Sequence, residues 1–70
     1  RRHVVEATIV KVMKARRKLD HNGLIAEVTK VISHKFKPDP IQIKTRIESL
    51  IERDFLERDE EDRKVYKYIS

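Results

Sequence analysis

The chain has 70 residues, a formal net charge of +5 and no cysteine. That length holds one small domain, able to bury roughly 60% of the surface its unfolded chain exposes, and the lack of cysteine excludes a disulfide framework, a thiolate metal site and a thiol nucleophile. Charged residues make up 41% and hydrophobic ones 39%, but the two are interspersed as in a folded domain, and no apolar run approaches the ~18 residues of a membrane span.

The first helix is expected to run to Lys18, before Leu19 and Asp20. On a helical projection Val5, Thr8, Ile9, Val12 and Met13 fall on one stripe. Lys14 lies opposite that stripe, flanked by Lys11, Arg17 and Lys18. Met13 reads as a gap-filling core side chain.

Asp20 is a good N-cap for a second helix starting at Asp20 or His21, because its carboxylate can accept the free N–H groups of the first turn. Leu24, Val28, Val31, Ile32 and Phe36 carry that helix's apolar face. Lys37-Pro38-Asp39-Pro40 breaks it, since proline lacks an N–H and disfavours helix in the residue before it. Asp39 and Pro40 then supply an N-cap and first position for a third helix, with Ile43, Ile47, Leu50 and Ile51 inward.

Beyond Arg53 the period changes to two. Phe55–Arg58 and Lys64–Ile69 alternate apolar with polar residues and flank the polar run 59–63. They read as a β-hairpin. The chain is therefore mainly α with a small β wing: a winged helix, three helices followed by a C-terminal hairpin, in one domain over residues 1–70. A brief strand at Lys18-Leu19 could add to the wing sheet.

The +5 and the pI of 9.8 suggest an anionic partner, nucleic acid first. A winged helix would bind DNA with helix 3, here bearing Gln42, Lys44, Thr45, Arg46 and Ser49. The charge map opposes this. Residues 1–18 are net +6, 19–40 neutral and 41–70 net −1. The wing tip holds Asp59, Glu60, Glu61 and Asp62 where phosphates would approach. Catalysis has less support. His3, His21 and His34 lack paired metal-ligand spacing, Ser33, Ser49 and Ser70 lack nucleophile-elbow glycines, and Gly23 is the only glycine. His21 beside Asp20 reads as cap chemistry. No metal, cofactor or enzymatic activity is expected.

The stretch from Ile9 to Lys18, IVKVMKARRK, resembles the signature near the C-terminus of cullins, the scaffolds of cullin-RING ubiquitin ligases. The usual form there is Ile-Val-Arg-Ile-Met-Lys-x-Arg-Lys. Segments 21–28 and 43–58, Phe36-Lys37-Pro38, and the ending Tyr66-Lys67-Tyr68-Ile69-Ser70 are also similar to cullin sequence, so the resemblance covers nearly the whole chain. Lys11, Val12 and Arg17 stand for the usual Arg, Ile and Lys, and none of these removes a charge or a core side chain. Segments 21–29 and 61–68 most resemble the cullin that recruits BTB-domain adaptors. Because the first residue is Arg, the chain is expected to be a piece cut from a longer cullin, with Ser70 its natural C-terminus.

The resemblance implies that Lys14 is the acceptor of a ubiquitin-like modifier through an isopeptide bond (neddylation). Lys11, Arg17 and Lys18 would offer an attractive surface to acidic patches on the conjugating machinery. It implies a non-catalytic regulatory domain whose packing shifts on modification and activates the ligase. Implied partners are the RING-box subunit, the neddylation conjugating enzyme and co-ligase, the cullin exchange factor and the deneddylating signalosome. The implied setting is cytoplasmic and nuclear, with no membrane contact.

Overall fold

The computed structural model describes residues 2–69. In chain order it holds α1 (Arg2–Arg16), β1 (Lys18–Asp20), α2 (His21–Ile32), α3 (Pro40–Glu52), β2 (Leu56–Arg58) and β3 (Val65–Tyr68). Three helices with a small antiparallel sheet form the expected winged helix. The positive charge of Arg1 and the reading of Ser70 as the chain's natural end lie outside the described residues.

α1 stops at Arg16, two residues short of the expected Lys18. Arg17 turns left-handed with φ 71° while its N–H still bonds the Met13 carbonyl at 2.7 Å. Its own carbonyl accepts from the Tyr68 N–H at 2.9 Å, which directs Lys18 into the sheet. The brief strand at Lys18-Leu19 is present and extends to Asp20.

Asp20 caps α2 as expected, its carboxylate accepting from the Gly23 N–H at 2.7 Å. α2 ends at Ile32, not near Phe36. Residues 33–35 form a turn in which the Lys35 and Phe36 N–H groups both donate to the Ile32 carbonyl. The turn still returns Phe36 to the edge of the core, while Val31 faces solvent. At α3, Asp39 caps the Ile41 N–H at 3.0 Å and Pro40 opens the helix. α3 closes in a Schellman turn. The Phe55 N–H bonds the Leu50 carbonyl, the Asp54 N–H bonds the Ile51 carbonyl, and Asp54 takes φ 64°. Phe55 is consumed by that turn, so the first wing strand begins at Leu56.

The sheet order is β1-β3-β2. Tyr66 of the central strand pairs with Leu19 on one side and Arg58 on the other. One core joins the layers: Val5, Ile9, Val12 and Met13 of α1, Leu24, Val28 and Ile32 of α2, Ile43, Ile47 and Leu50 of α3, and Leu56 and Tyr66 of the sheet. Each buried aliphatic side chain contributes about 1.5–3 kcal/mol. Met13 is fully buried, in the role read from the sequence. Among the described residues Thr8 is the buried polar side chain, and its hydroxyl donates to the Val4 carbonyl at 2.8 Å.

Candidate modification site

The core stripe of α1 faces inward, which turns Lys14 to solvent. Lys14 stands at the lip of a groove of about 460 Å³ between α1 and the end of α3. His3, Ala7, Val10, Lys11 and Lys14 line it from α1, at helical spacings of three, four, seven and eight residues that put them on one side of the helix. Leu50 and Phe55 supply its apolar floor, and Phe55 is left 45% exposed. Small Ala7 and exposed Ala15 leave the lysine unobstructed. A primary amine held this way can reach an activated carbonyl brought from outside.

The groove wall is fixed by charge. Glu6 accepts from Arg46 Nη1 and Arg53 Nη2, each at 2.8 Å, and so ties α1 to α3. The Arg53 hydrogen bond is the strongest of the influences that hold the Glu6 carboxyl below its ordinary value, with burial opposing and Arg46 reinforcing. Arg53 also lies over the Phe55 ring, 5.6 Å from its centre.

Of the residues read as surrounding the acceptor, Lys11 shares the groove with Lys14. Arg17 instead sits over the Tyr68 ring at 5.3 Å. Lys18 belongs to β1, its Nζ 3.8 Å from the Asp59 carboxylate. Leu50, Arg53 and Phe55 completed the site without being foreseen, because they approach α1 only through tertiary packing. The one signal in the sequence is a large aromatic, Phe55, in a polar helix-ending segment.

The surface that a DNA-binding winged helix would use, already disfavoured by the charge map, is altered further by its contacts. Arg46 is committed to Glu6 and is mostly buried. The Thr45 hydroxyl donates to the Ile41 carbonyl. At the wing, Asp59 turns inward to accept from the Glu61 and Asp62 N–H groups and to meet Lys18 and Lys67. The Asp62 N–H is the main reason its carboxyl lies below the usual range. Asp62 in turn caps the Lys64 N–H at 3.0 Å. Two of the four wing carboxylates thus hold the loop together. Among the described residues no group of three or more histidines or carboxylates could hold a metal.

The cullin protein neddylation domain family matches residues 1–62. Cullin-3B of Arabidopsis thaliana is 60% identical over the whole chain, which covers 10% of that relative. Cullin-3 of Caenorhabditis elegans is 61% identical over 66 residues, 94% of the chain and 8% of the relative. The chain thus spans about a tenth of the length of the curated relatives it matches. Among solved structures, a chain of the Dcn1(P)–Cdc53(WHB) structure, from work on a dual E3 mechanism for Rub1 ligation to Cdc53, superposes with a TM-score of 0.93 at 32% identity, covering 99% of this chain and 79% of that one. A match over residues 1–62 and a cullin-3 relative 60% identical along the full chain leave one assignment: the protein belongs to the cullin neddylation-domain family and is of the cullin-3 type.

Proposed function

We propose that the chain is the regulatory acceptor domain of a cullin-RING ubiquitin-ligase scaffold, with Lys14 as the residue modified. The observation that carries this is an exposed lysine at the lip of the α1–α3 groove, within the segment IVKVMKARRK, in a chain of the cullin neddylation-domain family. The neutral Lys14 Nζ attacks the thioester carbonyl carbon of a Nedd8-like modifier carried by its conjugating enzyme. The C–S bond breaks, an isopeptide C–N bond forms, and the amine gives up a proton as the thiol leaves. The lysine's positive charge is lost and a bulky folded adduct is gained. The domain itself supplies no catalytic group.

Lys11 beside the acceptor would attract acidic surfaces of the conjugating enzyme and a Dcn1-like co-ligase, with Arg17 and Lys18 extending the basic face toward β1. The adduct acts by population shift. It interacts differently with a closed arrangement, packed on the scaffold and its RING-box subunit, and an open one. An exchange factor that covers the same face would compete with modification, and a deneddylating signalosome would reverse it.

The test is to incubate the domain, joined to its RING-binding scaffold segment, with the Nedd8 activating and conjugating enzymes and map the adduct by peptide mass spectrometry. The adduct is expected on Lys14 and absent from Lys14→Arg. Modification of Lys11 or Lys18 with Lys14 untouched would defeat the proposal.

A further inference from the structure

A second concavity of about 430 Å³ lies between α3 and the wing and shares no residue with the groove beside Lys14. Lys44 of α3 and Arg63 and Lys64 of the wing line it. Their side chains make no ion pair or hydrogen bond among the described residues, whereas Arg16, Lys18, Arg46, Arg53, Arg58 and Lys67 are all paired. Three unpaired cations therefore line one cavity. Its two carboxylates are already engaged, Asp20 by the Gly23 N–H and Glu48 by Arg58 at 3.5 Å.

The cavity is also partly preorganised. Arg58 Nη1 donates to the Arg63 carbonyl at 2.8 Å, and its guanidinium lies 5.1 Å from the centre of the Tyr66 ring. Tyr66 is buried, and its hydroxyl shares a 2.8 Å hydrogen bond with His21 Nδ1, which fixes the imidazole at the rim. The first turn of α2 borders the cavity with its end capped by Asp20.

We propose that this cavity binds a single phosphoryl group, presented as a phosphoserine or phosphothreonine on a segment of a partner protein. A phosphomonoester carries a charge of about −2 on three acceptor oxygens, which suits a cavity lined by three unpaired cations. An extended nucleic-acid backbone fits less well. It spreads one charge per nucleotide and would cross exposed Glu60 and Glu61 on the wing. Neither ring that lines the cavity is an open platform for base stacking, since Tyr66 is buried and the half-buried His21 is held by the Tyr66 hydroxyl.

The experiment is an amide NMR titration of the 70-residue chain with inorganic phosphate, a phosphoserine peptide, its unphosphorylated form and a short DNA duplex. The expected result is saturable shifts at His21, Asn22, Arg58 and Lys64 with the first two probes, the peptide binding about tenfold tighter than phosphate. The triple variant Lys44→Ala, Arg63→Ala, Lys64→Ala should weaken the peptide about tenfold or more. A control removing the same charge elsewhere, Lys30→Ala, Lys35→Ala, Lys37→Ala, should change it less than about twofold. Phosphate binding without a gain from the peptide would reduce the cavity to a free-anion site and overturn the partner assignment. Equal losses in both triple variants, absence of saturation, or tighter binding of the duplex would overturn the proposal.

Discussion

Replacing Glu6 by Gln removes the charge from a clamp that joins α1 to α3 while keeping the side chain's shape. The Glu6 and Arg46 side chains are only 17% and 20% exposed, and Arg53 is 47% exposed. A charge-assisted hydrogen bond in the sheltered pair is worth about 1.5–3 kcal/mol. The contribution of the more open Arg53 is screened to under about 1 kcal/mol. Glu6→Gln is therefore expected to cost about 2 kcal/mol, against a total stability of about 5 kcal/mol for a domain of this length. In a domain this small that lowers Tm by about 8–16 °C. Urea unfolding followed by circular dichroism reads the change as a lower midpoint with an unaltered slope. A double-mutant cycle separates the partners, with Glu6–Arg46 coupling expected to exceed Glu6–Arg53 coupling. The pH dependence follows from the lowered carboxyl of Glu6. Its stabilisation is complete above the ordinary value of 4.5 and is lost as pH falls through the lower folded value. Wild type and Glu6→Gln should thus converge in acid. A midpoint difference below about 0.5 kcal/mol at neutral pH, or one that persists unchanged in acid, would refute the clamp.

Asp54 holds a left-handed φ of 64° at the end of α3, so Asp54→Gly should raise stability by up to about 1 kcal/mol in the same urea assay, and a loss would count against strain there. At Gly23 an added Cβ would lie 2.7 Å from the Asp20 carboxylate oxygen that caps α2. Gly23→Ala should therefore fail to deliver the usual helix gain of about 1 kcal/mol, and Gly23→Ala combined with Asp20→Ala should show the two changes to be non-additive. On α3, Ile47 is fully buried and Ile41 is 77% exposed. Ile47→Ala should cost about 2–5 kcal/mol and Ile41→Ala less than about 0.5 kcal/mol, both readable as thermal midpoints.

Chain-local chemistry was legible in advance. The apolar stripe of α1 ending on Met13, the Asp20 cap, the Asp39-Pro40 helix start and the alternation of the wing each depend on neighbours within a turn or two, so the residues themselves specify them. The same locality set the misreadings. The periodic pattern ran on through Lys18 and Phe36, but α1 stopped where Arg17 gave its carbonyl to Tyr68 and α2 stopped at the turn carrying Phe36 back to the core.

The sequence by itself determined the fold class and made Lys14 stand out, because both are written in side-chain period and in one contiguous segment. The surroundings of that lysine were decided only by tertiary structure. Glu6 meets Arg46 across 40 positions, and Leu50 and Phe55 reach α1 from the far end of α3. The +5 is likewise a sum without a geometry. Packing spends Arg46, Arg53, Arg58 and Lys18 on carboxylates and leaves, among others, Lys44 of α3 and Arg63 and Lys64 of the wing unpaired around one cavity. Which charges cancel depends on how helices cross and how the hairpin folds over α3, and separation along the chain carries no record of that.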